Sequence, residues 1–177
     1  MSVCYIGLGS NLDYPGQQLD RARHALAALP ATRLLATSSI YRSAALTLPG
    51  SVAQPDYLNA VIKLQTTLTP HALLDALHAI ERAQGRQRIE PWAARSLDLD
   101  ILLYDDLQLT DSRLKIPHPG MAQRNFVLYP LQDITPGLEI PHVGRVSELL
   151  AKLAADSSAS RCERVGKFND AVSTKSL

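Results

Sequence analysis

Hydrophobic and polar positions along the chain follow two periods, 2 and about 3.6, and the switches between them mark out its elements. Val3 to Leu8 is a β-favouring run, broken up by Gly7, Gly9, Ser10 and Asn11, and it predicts a buried strand ending in a turn. Pro15 then opens a helical stretch in which Leu19, Ala22, Leu26 and Leu29 recur at three- and four-residue steps until Pro30. Thr32 to Tyr41 returns to strand chemistry. Arg42 to Asp56 holds two prolines, a glycine and little periodicity, which predicts a mobile loop over a site. In Tyr57 to Gln65, Leu58, Ala60, Ile62 and Leu64 share one face, and Tyr57, Asn59, Val61 and Lys63 share the other.

Thr69-Pro70 has the form of an N-cap followed by proline at the first helical position. Leu73, Leu74, Leu77, Ile80 and Glu81 carry that helix to a stop at Gly85. An arginine-rich loop leads into Ser96 to Tyr104, where alternation places Leu97, Leu99, Ile101 and Leu103 inward and Asp98 and Asp100 together on the opposite face. Next come an Asp105-Asp106 turn, a short strand, the Pro117-His118-Pro119-Gly120 turn and an apolar stretch from Phe126 to Leu131. Val146, Leu149, Leu150 and Leu153 form a last helix. From Ser157 onward the chain is Ser-rich and aperiodic. Residues 169–177 are expected to be a disordered tail, leaving 1–168 as a single domain. The order strand, helix, strand, strand, helix, strand predicts an α+β fold with a ferredoxin-like βαββαβ core: an antiparallel sheet with helices packed on one face, and the other face free to build a site under the loops.

Composition narrows the function classes. A chain of 177 residues, 46% hydrophobic and 20% charged, suits one ordinary domain. Eighteen Lys and Arg against 17 Asp and Glu leave a net charge of +1, so no whole-molecule field recruits nucleic acid or an anionic membrane. Cys4 and Cys162 match no disulfide or zinc spacing, which favours a reducing compartment. With no basic lead before the short N-terminal apolar run and no apolar stretch of membrane-spanning length, the expectation is a cytoplasmic protein.

Asp98 and Asp100 are the sharpest chemical feature. Two residues apart on a strand, their Cα atoms lie roughly 6.6 Å apart with both carboxylates leaving one face, a pattern able to hold one or two hard cations such as Mg²⁺. Plain polar alternation produces the same spacing. Arg82, Arg86, Arg88 and Arg95 crowd the approach to that strand, as a magnesium polyphosphate requires, or as a solvated loop paired with Glu81 and Glu90 would also show. A lone histidine is usually a surface or core residue, but His118, held between two prolines and followed by Arg124, is rigidly presented between arginine-bearing segments and could donate to a phosphate oxygen. Trp92 is the only tryptophan and lies in the arginine loop, where ring stacking or a lid contact is favoured over core burial. Tyr57 and Asn59 can hold a planar heterocycle by stacking and by an amide hydrogen-bond pair, or pack across strands. Walker A, GxGxxG and GxSxG sequences are absent.

Five ordered blocks carry a resemblance: Tyr-Ile-Gly-Leu-Gly-Ser-Asn-Leu at 5 to 12, Gln-Pro-Asp-Tyr-Leu-Asn-Ala at 54 to 60, Glu-Arg-Ala-Gln-Gly-Arg at 81 to 86, Arg-Ser-Leu-Asp-Leu-Asp-Ile-Leu at 95 to 102 and Ile-Pro-His-Pro at 116 to 119. Together they resemble the 6-hydroxymethyl-7,8-dihydropterin pyrophosphokinase (HPPK) family of folate biosynthesis, over residues 3 to about 155. The resemblance implies that the pterin hydroxymethyl oxygen attacks the β-phosphorus of ATP and releases AMP. It implies two Mg²⁺ held by Asp98 and Asp100, with Arg86 and Arg95 joining these aspartates as the catalytic set. Glu81, Arg86, Arg88, Trp92, Arg95, Ile101, Arg113, His118 and Arg124 would surround ATP. Ser43, Leu46, Tyr57, Asn59, Trp92 and Phe126 would surround the pterin.

The loops 43–56 and 85–95 would close to exclude water. Partners would be these small molecules alone, with no nucleic acid and no membrane, acting on a monomer. The chain departs from the family pattern at Ser43-Ala44-Ala45, at Pro91 and at Ala93-Ala94, and its tail beyond Ala155 is unexplained by the family. An RNA- or nucleotide-binding regulator on the same scaffold is disfavoured by the 5% aromatic content. A palm-type nucleotidyl transferase would release pyrophosphate instead of AMP.

Overall fold

The computed structural model describes residues 1–45, 53–85, 96–156 and 160–168. Its elements in chain order are β1 (Ser2–Ser10), α1 (Pro15–Ala27), β2 (Thr32–Thr37), β3 (Ile40–Ser43), β4 (Tyr57–Thr66), α2 (Pro70–Ala83), β5 (Asp98–Tyr104), β6 (Leu109–Thr110), β7 (Lys115–Ile116), α3 (Asn125–Ile134), β8 (Glu139–Ile140), β9 (Gly144–Arg145), α4 (Val146–Ala155) and β10 (Cys162–Gly166). The main sheet is antiparallel, in the order β10-β3-β4-β1-β5, and β2 also pairs with β4.

Local chemistry accounts for the helix ends. Thr69 Oγ1 accepts from the Ala72 N–H at 3.3 Å, and Pro70 occupies the first turn of α2, where its missing N–H leaves no bond unmade. Gly85 follows that helix at φ +84°, a conformation glycine reaches without a side-chain clash.

The stripes predicted for α1 and α2 are buried together on one face of the sheet. Leu19, Ala22, Leu26, Leu73, Leu77 and Ile80 pack on Cys4, Ile6, Leu8, Ala60, Ile62, Leu64, Leu99 and Ile101. Burying each such leucine or isoleucine contributes about 1.5–3 kcal/mol, so this layer supplies most of the drive for the sheet to close on its helices.

Four expectations are corrected. The opposite face is not free: α3, α4 and the β8–β9 hairpin cover part of it with a second core of Tyr5, Val61, Leu102, Leu103, Met121, Val127, Leu128, Leu131, Ile140 and Val146. Leu103 belongs to that second core because the β1–β5 register shifts between Tyr5 and Ile6, leaving Leu102 as an extra residue and turning the alternation over. Thr32 to Tyr41 is two strands. The break comes at Ser38-Ser39, where Ser38 Oγ accepts from the Val61 N–H at 2.9 Å and the Ser39 N–H donates to Asp133 Oδ2 at 3.1 Å. The stretch after Ser157 contains a strand, β10, and Phe168 is 4% exposed in the first core. The tail expected at 169–177 lies outside the described residues.

Candidate active site

Alternation in β1 sends Ile6 and Leu8 into the first core and turns Gly7 and Gly9 to the opposite face. Gly9 pairs with Asn59 on one side and Asp98 on the other. Gly7 pairs with Val61 and Asp100. The sheet at this end therefore presents a strip without side chains, walled by Tyr57 and Asn59 along one flank and by the two aspartates along the other. Above it opens a cleft of about 770 Å³.

The Asn59 amide is placed by its neighbours. Its Nδ2 donates to Ser43 Oγ at 2.8 Å and to the Tyr41 carbonyl at 3.4 Å, an assignment that follows from the hydrogen-bond network. Its Oδ1 lies 3.5 Å from where a Cβ on Gly9 would stand. An acceptor oxygen thus overhangs the bare strip. Phe126, in the first turn of α3, lines the same cleft and carries the Arg124 guanidinium 6.0 Å from its ring centre.

The opposite flank is built from β5, the turn after β7 and the β6–β7 hairpin. Asp98 and Asp100 are half-buried and both line the cleft. Between them, the Leu99 N–H donates to Glu81 Oε1 at 2.8 Å, so the buried Glu81 carboxylate of α2 holds the backbone that carries both aspartates. Ile101 is a core residue that also borders the cleft.

His118 follows a cis Ile116–Pro117 peptide bond, and its backbone N–H donates to the Leu102 carbonyl at 2.9 Å. Its Nδ1 accepts from the Gly120 N–H at 3.2 Å, which leaves the neutral ring's proton on Nε2. Burial holds the His118 pKa below the usual histidine value, the Arg124 charge adds to that, and Asp98 opposes it. Arg124 lies against Gly120 so closely that a Cβ there would stand 2.9 Å from its Cζ. Arg113 lines the cleft from its rim, where its guanidinium pairs with Asp75. The hairpin beneath it is fixed by Asp111, which accepts from the Arg113 and Leu114 N–H groups at 2.7 and 2.8 Å and from His71 Nε2 at 2.8 Å. Those hydrogen bonds hold the exposed Asp111 carboxyl below the ordinary carboxylate range.

One cleft therefore gathers Ser43, Tyr57, Asn59 and Phe126 with Glu81, Asp98, Asp100, Ile101, Arg113, His118 and Arg124. Leu46, Arg86, Arg88, Trp92 and Arg95 lie outside the described residues, as do most of the two expected loops. Sequence reasoning passed over the Gly7 and Gly9 floor. Its signal was two glycines spaced by two on the face that faces away from Ile6 and Leu8.

Among the described residues no group of three or more His, Cys, Asp and Glu side chains gathers to hold a metal. The Asp98 and Asp100 pair nonetheless suits Mg²⁺, because two hard carboxylates leave the remaining octahedral positions to water and phosphate oxygens. Among the described residues no helix is long and apolar enough to cross a membrane.

Residues 5–136 match the family model for 7,8-dihydro-6-hydroxymethylpterin-pyrophosphokinase (HPPK). The chain is 46% identical over 154 residues to a 2-amino-4-hydroxy-6-hydroxymethyldihydropteridine pyrophosphokinase of Haemophilus influenzae, covering 87% of this chain and 94% of that protein. It is 49% identical over 147 residues to the protein of the same name from Pseudomonas aeruginosa, covering 83% and 89%. Among solved structures, it superposes on Plasmodium falciparum HPPK-DHPS wild type with pterin and p-hydroxybenzoate at a TM-score of 0.70 and 14% identity, covering 92% of this chain. At that identity the likeness shows the fold alone. This chain spans 46% of that longer one.

Proposed function

This chain belongs to the 7,8-dihydro-6-hydroxymethylpterin-pyrophosphokinase family, ATP-dependent pyrophosphoryl transferases of folate biosynthesis, and we propose that its cleft binds the pterin against Asn59 and the phosphates of ATP against Asp98 and Asp100. The observation that carries this reading is the register of β1, which sets an acceptor amide and a carboxylate pair on either side of a glycine floor.

In this reading the pterin ring lies over Gly9, with a ring N–H donating to Asn59 Oδ1 and with Tyr57 and Phe126 against its faces. Ser43 and the Tyr41 carbonyl hold the amide in that sense, so the site offers the ring a fixed acceptor rather than a rotating one. Asp98 and Asp100 would hold two Mg²⁺, which supply charge neutralisation along the polyphosphate. Glu81 keeps the two carboxylates in place through the Leu99 N–H. His118 presents its Nε2 proton, and Arg124 its charge, to phosphate oxygens. Arg113 reaches them from the rim, and Arg86, Arg88, Arg95 and Trp92 complete the nucleotide side, with Leu46 on the pterin side.

The reaction forms a bond from the hydroxymethyl oxygen to the β-phosphorus and breaks the bond from that phosphorus to the oxygen retained by AMP. The hydroxyl proton passes to solvent. No protein nucleophile is needed, so the work of the side chains is alignment and electrostatic stabilisation. Residues 1–168 act as one catalytic unit in this account, on two small-molecule substrates, in the cytoplasm, as a monomer.

The test is product analysis after mixing the protein with ATP, Mg²⁺ and 6-hydroxymethyl-7,8-dihydropterin. AMP and pterin diphosphate in equal amounts, formed only with both pterin and metal present, are expected. Pyrophosphate release, or no pterin-dependent AMP from folded protein, would overturn the reading.

A further inference from the structure

The segment after α4 lies beyond the residues that match the family model, and nothing in the reaction just described uses it. It nevertheless touches both walls of the pterin side of the cleft. β10 pairs with β3, setting Cys162 opposite Ser43, Glu163 opposite Arg42 and Arg164 opposite Tyr41. Ser43 and Tyr41 are the residues whose hydroxyl and carbonyl receive the Asn59 amide protons. On the other wall, Asn125 Nδ2 donates to the Ser160 carbonyl at 2.6 Å, and Asn125 is the first residue of α3, directly before Phe126. The segment is itself pinned at its far end, where Phe168 sits in the first core with the Arg23 guanidinium 5.7 Å from its ring centre.

The mechanics of β3 give this arrangement its purpose. β3 is four residues long and pairs with β4 only from Tyr41 to Ser43. A ladder that short, left as a sheet edge, opens readily. A second ladder on its outer side takes it out of the edge position. Arg124, the N-cap of α3, provides no side-chain cap, so the Asn125 contact is a tether at the end that carries Phe126.

We propose that residues 160–168 are a positioning brace for the pterin side of the cleft, acting through Ser43 on one wall and Asn125 on the other. The proposal rests on the assignment of that side to the pterin. It makes Asn125 a positioning residue that touches no substrate yet governs one substrate and not the other.

The experiment uses the full chain. Asn125→Asp keeps the size of the side chain and suits a helix N-terminus, while replacing the donor to the Ser160 carbonyl with a repelling oxygen. The expected result is a KM for the pterin raised about 5- to 20-fold, the range for one lost hydrogen bond set against repulsion, with the KM for ATP within about twofold and Tm nearly unchanged. In parallel, hydrogen exchange on the wild-type protein should show that the pterin, without nucleotide, slows exchange in residues 160–166. An unchanged pterin KM or equal rises for both substrates overturns the brace, and so does a pterin that binds without protecting 160–166. Asn59→Ala separates the two levels of the argument. If it raises the pterin KM while Asn125→Asp does not, the brace alone falls. If Asn59→Ala leaves the pterin KM unchanged, the assignment of that side falls, and the brace with it.

Discussion

Gly9→Ala isolates the contribution of the bare floor. An added Cβ would stand 3.5 Å from Asn59 Oδ1 and 3.8 Å from Tyr57 Cδ1, both ordinary contacts, and Gly9 is outside the left-handed region. Folding should therefore accept the methyl, and the gain in strand propensity over glycine is about 0.5–1 kcal/mol, a Tm rise of about 1–4 °C for a chain of this size. The same methyl rises into the space a flat ring would occupy between Asn59 and Asp98. Overfilling a closely packed site is unfavourable by about 1–3 kcal/mol, which is about 5- to 150-fold in the pterin KM. The KM for ATP should move by less than about threefold. Gly7→Ala is the internal contrast, because its Cβ would lie 3.3 Å from Leu102 Cδ2 in the second core, and Leu102 must give way. That variant should lose about 1 kcal/mol of stability. Steady-state kinetics with each substrate varied, alongside thermal unfolding, reads both effects. A Gly9→Ala enzyme with a normal pterin KM would refute the idea that the ring lies on this strip. A large fall in its Tm would show that the glycine serves folding instead.

Other perturbations probe the nucleotide side. Asp98→Asn should lower kcat by about 100-fold or more while leaving Tm within a few degrees, as expected for a half-buried group whose charge serves the transition state; near-normal turnover across a Mg²⁺ titration would remove it from the metal site. Gly120→Ala should push the Arg124 guanidinium off its present position, since the new Cβ would meet its Cζ at 2.9 Å. A rise of about 3- to 10-fold in the ATP KM without loss of Tm is expected, and an unchanged KM would disconnect Arg124 from the phosphates. His118 gives a pH dependence with a defined sign. Its folded pKa is depressed, so its contribution to stability is present above the unfolded value near 6.5 and is lost as pH falls from there toward the folded value, where only the unfolded chain takes up the proton. Thermal unfolding from pH 8 to pH 5 should show a steeper loss for wild type than for His118→Gln, and parallel curves would contradict the assignment.

Much of this architecture is legible in the periodicity, because it is written locally. The strands around Ile6, Ile62 and Leu99 and the stripes of α1 and α2 need only the periods 2 and 3.6 to be read. Asp98 and Asp100 are visible for the same reason. What escaped depends on partners distant in the chain. Ser38-Ser39 breaks a strand through a bond to Asp133, 94 residues away. Leu103 changes core because β1 and β5 slip in register. β10 has neither clean alternation nor many apolar residues, and its ladder to β3 and the buried Phe168 help to hold it in place. The glycine floor was hidden for a different reason: an absent side chain gains meaning only when the residues flanking it across the sheet are known. His118, Arg124 and Phe126 converge with Asn59 by tertiary packing, and the motif resemblance, not their spacing, linked them beforehand.

The central claim is a division of one cleft, with the pterin over Gly9 beside Asn59 and the metal-bound phosphates beside Asp98 and Asp100. A crystal structure with Mn²⁺, a non-hydrolysable ATP analogue and the pterin tests it most directly, since manganese is located by its anomalous signal. The account predicts anomalous peaks bonded to Asp98 and Asp100 and a pterin ring hydrogen-bonded to Asn59 Oδ1 above Gly9. Manganese held elsewhere, or a pterin on the far side of the two aspartates, would contradict it.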